Sequence, residues 1–289
     1  MKRRLLPLMA GMIALCSLIG CSDIEKQADV KLQEAKAAFQ QGNFEEAKQL
    51  IDSIKILFPK AFDTRKASLA LQREVELAEQ RQLVDTLDAN LAEVQQAIEA
   101  IKDKFILEKD EQYQRIGNYF DKSQTVEKNI HRSYLRFQVS EEGKQSMTST
   151  YCGAGNIHHT AVKVTAPDGS SAQTPNSKDS YETSDLGEQI EKADYKYGED
   201  DGVIDFIVAH QAENLKVQFI GDRNYNTSMT AADRKAAANI SELATLLNKV
   251  TDLNKAKEEA QLKIRYIEKR IADKAAEEAA EEAAEEEQK

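Results

Sequence analysis

From Thr64 to Gly117 the chain contains no proline, and its first glycine is Gly117 itself. Within that stretch Leu77, Val84, Leu91, Ile98 and Phe105 recur at heptad spacing, and Leu87, Val94 and Ile101 fill the second seam position. Such a pattern dictates a long helix with an apolar stripe that needs a partner along its length. At 1.5 Å per residue it would run on the order of 75 Å. The signature returns near the carboxyl end. Ile240, Leu243, Leu246, Leu247, Val250 and Leu253 lead into Ala260, Ile264, Ile267 and Ile271, and the TAAD stretch Thr230 to Asp233 supplies an amino-terminal cap. Two arrangements satisfy these stripes: an antiparallel pair within the chain, or a homo-oligomer in which each helix zips with a second protomer. The intramolecular pair is favoured, because both stripes would otherwise need separate partners.

Composition agrees with long helices. Tryptophan is absent, and there are only 12 glycines and 4 prolines. The formal net charge of -11 argues against nucleic acid as a partner, since that affinity comes mainly from Lys and Arg on phosphates. After Lys274 the sequence AAEEAAEEAAEEEQK places like charges four residues apart and against the helix dipole, so it reads as a fraying, solvated helix end.

The amino terminus explains where such a chain would reside. Lys2, Arg3 and Arg4 precede an apolar run from Leu5 to Ile19. That run is short for a membrane span, which needs roughly 20 apolar residues, and it has the layout of a secretory signal over residues 1–20. Leu18-Ile19-Gly20-Cys21 resembles the lipobox of bacterial lipoproteins. The resemblance implies cleavage before Cys21, lipidation of its sulfur and anchoring to the bilayer through the acyl chains, which suffice for durable attachment. Ser22 resembles outer-membrane sorting, while Asp23 and Glu25 hint at surface display. An exported protein anchored to the cell envelope, at the outer membrane, is the expectation. With Cys16 in the signal and Cys21 acylated, Cys152 alone remains, and no intramolecular disulfide can form.

Residues 28–60 show two helical patterns around Gly42-Asn43. The segment GNFEEA with Ala35, Ala47 and Pro59 resembles the second half of a tetratricopeptide repeat. The first-helix aromatic and leucine are missing and no second copy follows, so the hairpin must pack on another element.

Between about His131 and Arg223 the period changes to two. YLRFQVS, KQSMTSTYC, HHTAVKVT, VIDFIVAH and LKVQFI all alternate, separated by turns at Glu142-Gly143, Pro167-Asp168-Gly169 and Asp201-Gly202. Four or five antiparallel strands in a small sandwich or open barrel are expected, with 170–198 as a long polar loop carrying one short helix. Loops on such scaffolds commonly carry binding surfaces.

Chemistry in this region would centre on YCGAGNIHH, Tyr151 to His159. Strand alternation puts His158 on the face of Val162 and Val164, with His159 opposite. His210 continues the Ile204, Phe206, Val208 face, so Cys152, His158 and His210 form the candidate head site. These residues make only a partial zinc set without ligand spacing. A Cys152-based nucleophile lacks any family signature. Gly153-x-Gly155 lacks the third glycine of a dinucleotide fingerprint, and Asp200, Asp201 and Asp205 lack the closing glutamate of a calcium loop. No catalytic residue, metal or cofactor is therefore assigned.

The expected fold class is α+β: signal at 1–20, anchor and helical hairpin at 21–62, first stalk helix at 63–130, inserted β head at 131–223, returning helix at 230–274 and acidic tail at 275–289. The expected function is a scaffold or binding module whose β head recognises an envelope protein or glycan. An envelope hydrolase and a coiled-coil spacer are the alternatives.

Overall fold

A computed structural model describes residues 21–185 and 187–286, with side chains from Asp23 onward. The expected signal lies outside these residues, and Cys21 is seen only as the backbone start of a helix. The fold is mixed helix and antiparallel sheet, with helices at the amino end and one long helix at the carboxyl end. No helix among the described residues is long and apolar enough to cross a membrane. The chain divides into two compact units, Met1–Val84 with Glu259–Lys289, and Asp85–Glu258.

In the first unit α1 (Cys21–Gln40) and α2 (Phe44–Leu57) form a hairpin. Gly42 adopts φ +78°, and the Asn43 and Gly42 amides donate to Ala38 and Phe39 carbonyls at 2.9 Å. This is the left-handed glycine cap that lets a helix stop and reverse. Ala28, Ala35 and Ala47 are fully buried, so the two backbones approach closely. Leu32, Ile51 and Ile54 fill the rest of the core with Leu71 and Val75 of α3 (Phe62–Ile101). α5 (Ala231–Glu286) runs antiparallel to α3 here, as the ion pairs Lys66–Glu278 at 3.0 Å and Arg81–Glu268 at 2.8 Å record.

The second unit holds the rest of α3 and α5. Lys257 pairs with Asp88, and Lys104 with Glu242 at 3.0 Å. Leu87, Leu91 and Val94 are buried as the heptads require. The helix ends at Ile101, well short of Gly117 and of residue 130. A 3-10 turn follows, and Phe105 enters a strand with its ring in the core. The aromatic and branched run Phe105-Ile106-Leu107 finds ladder partners that outcompete one more helical turn.

Six strands form one sheet: β1 (Phe105–Glu108), β2 (Asn118–Asp121), β3 (Tyr134–Ser140), β4 (Gln145–Gly153), β7 (Asp179–Asp185) and β8 (Glu188–Tyr195), in the order β1-β2-β3-β4-β8-β7. Four form another: β5 (Ala161–Thr165), β6 (Ser171–Gln173), β9 (Lys216–Ile220) and β10 (Tyr225–Ser228), in the order β10-β9-β5-β6. Every pairing is antiparallel. Phe137, Met147 and Tyr195 of the larger sheet share one core with Val162, Val217 and Phe219 of the smaller, and with Ile240 and Leu243 of α5.

Two further expectations are corrected. VIDFIVAH is a helix, α4 (Val203–Ala209), not a strand. Its buried residues Val203, Ile204 and Ile207 follow helical spacing, Gly202 opens it at φ +77°, and the Ile204 amide donates to Asp200 Oδ2 at 3.0 Å. The 170–198 segment is not a loop with a short helix. It supplies β6, β7 and β8, and the alternation was hidden because β7 is exposed on both faces while Glu191 occupies an inward position of β8.

Candidate functional site

Alternation assigns each strand of the larger sheet an inward and an outward set. Inward go Leu135, Phe137 and Val139 from β3, and Met147 and Tyr151 from β4. Outward go Tyr134, Arg136 and Gln138, then Ser146, Thr148, Thr150 and Cys152, then Glu188, Ile190, Lys192 and Asp194, with Tyr181, Thr183 and Asp185 from β7. The register joins these into rows across the sheet. One runs Tyr134, Thr150, Lys192, Tyr181, and the next carries Arg136, Thr148 and Asp194. The turn from Val126 to Arg132 rises at one side. Together they enclose a trough of about 560 Å³, within the ~300–1,000 Å³ of small-molecule sites.

The trough is braced from below and beside. Gln124 is fully buried next to β3, where its amide donates to Leu135 O at 2.8 Å and accepts from Phe137 N at 2.8 Å. It thereby takes the place of a neighbouring strand's backbone where β2 stops. The Arg136 guanidinium stacks on Phe120 at 3.7 Å and pairs with Glu108 at 2.9 Å, while its Nε is buried without an acceptor. Arg132 pairs with Asp233, and Asp194 accepts from the Thr148 hydroxyl. Lys192 sits 5.5 Å from the Tyr181 ring centre. Burial pushes the Tyr134 phenol up, so it stays protonated at neutral pH.

The three residues expected to form a head site do not converge. Cys152 lines the trough, where its thiol donates to Glu188 at 3.2 Å and Glu188 also binds His131. Burial, and then the Glu188 carboxylate, push the thiol up to about 11, the opposite of an activated nucleophile. His158 is exposed and pairs with Glu182 at 2.6 Å. His210 ends α4 and pairs with Glu213 at 2.9 Å.

It is His159, not His158, that points inward. His158 lies before β5 with φ +52°, which inverts the expected parity. The same left-handed residue turns three successive amides toward one carboxylate. Ile157 and His158 N–H donate to Glu191 Oε1 at 2.6 and 2.9 Å, and His159 N–H and Nδ1 reach Oε2 at 2.8 and 2.9 Å. This is an anion-holding backbone nest. His159 Nε2 then meets Ser149 Oγ at 2.8 Å, giving the connectivity of a Ser-His-acid triad. Acyl transfer also needs room for a carbonyl beside the hydroxyl. Ser149, His159 and Glu191 are at most 2 % exposed, so the arrangement is a polar bracket inside the core. Burial holds the imidazole below its ordinary range against the pull of Glu191. Burial also pushes Glu191 up, but its hydrogen bonds outweigh that and hold the carboxyl low.

His158, Glu182 and Glu191 offer one atom each within 4.8 Å of one another. Every one of these groups already has partners, with Asn156 donating to Glu182 at 2.6 Å. The set is therefore closed by protein donors.

No protein-family model, curated protein or solved structure matches this chain. The trough was not singled out from the sequence. Its signal was present all the same: outward strand positions carried Tyr134, Arg136, Tyr181 and Lys192 where short polar residues would suffice.

Proposed function

We propose that this chain is a lipid-anchored envelope binding module. Cys21 ties it to the outer membrane, the long paired helices act as its carrier, and the β-rich part is the recognition head. The observation that supports recognition is the trough on the outward face of the six-stranded sheet, lined by Tyr134, Tyr181 and Tyr195, by Arg132, Arg136, Lys192 and Lys196 beside Asp185, Glu188 and Asp194, and by a row of hydroxyls. Residues 170–198 contribute through one wall of that trough, not as a free loop. The alternative of an envelope hydrolase has less support, since the one thiol in the trough is held protonated and the Ser149 hydroxyl is enclosed. A test is to fill the floor with Thr148→Trp and compare cross-linked envelope material recovered in cells with that of the unaltered chain. Loss of the recovered material with an unchanged melting temperature supports the reading. Equal recovery would move binding to the helices.

A further inference from the structure

We propose that the turn joining α2 to α3 is a second membrane contact, its exposed apolar side chains sinking into the headgroup layer beside Cys21. The inference rests on the reading of Cys21 as the lipid anchor and adds how the helical unit meets the bilayer.

The two ends of the α1–α2 hairpin differ in chemistry. At the far end the chain reverses through Gln40-Gln41-Gly42-Asn43, without an apolar side chain. At the end that carries Cys21 it runs Lys55-Ile56-Leu57-Phe58-Pro59-Lys60-Ala61-Phe62. Phe58 and Ala61 serve the core of the unit, but Ile56, Leu57 and Phe62 are 73 %, 62 % and 72 % exposed. Exposed apolar residues scattered singly are ordinary, whereas several gathered in one tight turn mark a contact surface. The turn is fixed by its own hydrogen bonds. The Phe58 amide donates to Ile54 O at 3.0 Å, the Ala61 amide to Phe58 O at 3.1 Å, and Arg65 Nη1 to Pro59 O at 2.8 Å.

Position supplies the occupant. α1 begins at Cys21 itself, so no slack chain separates an acylated cysteine from the folded unit. Glu25, about 6 Å further along the helix, accepts from the Thr64 hydroxyl at 2.8 Å. Phe62, just before Thr64, therefore stands near the level of Cys21. α1 has 20 residues and α2 has 14, so α2 stops about 9 Å short of Cys21 along the axis. Leu57 and Ile56 thus lie toward the outer limit of the ~5–10 Å over which interfacial segments sink. A lean of the hairpin toward this turn brings them in.

Lys55 and Lys60 bracket the apolar run, and lysine stems lie along apolar surface while their amines stay in the polar layer. Exposed Asp52 and Asp63 balance them, so the contact is apolar rather than electrostatic. A protein partner fits less well. The exposed side chains offer on the order of 400 Å², about half of one side of a stable interface.

The test places benzoylphenylalanine at Leu57 and, as control, at Gln41 of the full mature chain made in an acylating host. Each chain is reconstituted into phosphatidylethanolamine–phosphatidylglycerol vesicles, floated, irradiated and weighed by mass spectrometry. An acylated Cys21, flotation and a phospholipid adduct from position 57, but not from 41, are expected. Ile56→Asp with Phe62→Asp should remove that adduct at an unchanged melting temperature. An acylated chain that floats without a lipid adduct at 57 would overturn the second contact and leave the anchor standing. A chain that carries no acyl group and does not float would overturn both. Equal adducts from 57 and 41 would overturn the assignment to this turn. In cells, a protein adduct at 57 in place of lipid would give the surface to a protein and overturn the membrane contact.

Discussion

Glu191 shows how one inward acid can organise a fold. A carboxylate inside a sheet core is costly unless its oxygens are filled, and four donors from Ile157, His158 and His159 fill them. The parity of the two histidines was illegible in the sequence for that reason, since the alternation rule assumes extended backbone and His158 is left-handed. Removing the acid with Glu191→Ala should cost about 3–5 kcal/mol, as when one partner of a buried pair is lost, and urea melts would read it. The bracket also sets a pH dependence. His159 has a folded-state pKa below its ordinary 6.5, so the unfolded chain binds that proton first. Its contribution is complete above about pH 6.5 and declines as pH falls toward the lowered value. Glu191, held below 4.5, contributes above about pH 4.5 and is lost as pH falls through its folded value. Both act in one direction, so the melting temperature should drop between pH 7 and pH 4; a flat profile would refute the assignment. Cys152, pushed up to about 11, should react with iodoacetamide at pH 7.5 far more slowly than a free thiol near 8.5.

At the scale of elements, the long helices were the most legible part, because a heptad stripe over many turns has few alternative readings. The cap was legible too: the Asp233 amide donates to Thr230 Oγ1 at 3.1 Å, and Thr230 N donates back to Asp233 at 3.2 Å. Thr230→Ala should cost about 1 kcal/mol. Short apolar runs were not decisive. Val203 to Val208 satisfies both a period of two and a helical stripe, and only Gly202, Asp200 and the packing of Ile207 separate them. The turn between β9 and β10 also depends on Gly221. A Cβ there would fall against the carbonyl of Ile157 and the backbone of His158, and Asp222 N already donates to Ile157 O at 2.8 Å. Gly221→Ala should therefore push on the nest around Glu191 and cost about 1–3 kcal/mol, measured by thermal melts. An unchanged melting temperature would show that the turn relaxes freely.

Taken whole, the chain divides into a helical unit and a β-rich unit, and the second carries the trough. Apolar periodicity reports what faces a core, which is why the helices and β3, β4, β5 and β9 could be read directly. A binding surface leaves no such periodicity, because outward residues of a half-exposed sheet are polar whether or not they bind anything. The trough emerged only when the register aligned Tyr134, Thr150, Lys192 and Tyr181 in one row. The central claim is that this outward face is the recognition surface. Its most direct test is site-specific photo-crosslinking in cells, with benzoylphenylalanine at Thr183 in the trough wall and, separately, at exposed Ser171 on β6. Capture of envelope material from Thr183 and not from Ser171 is the expected result; capture from Ser171 alone, or from neither, would contradict it.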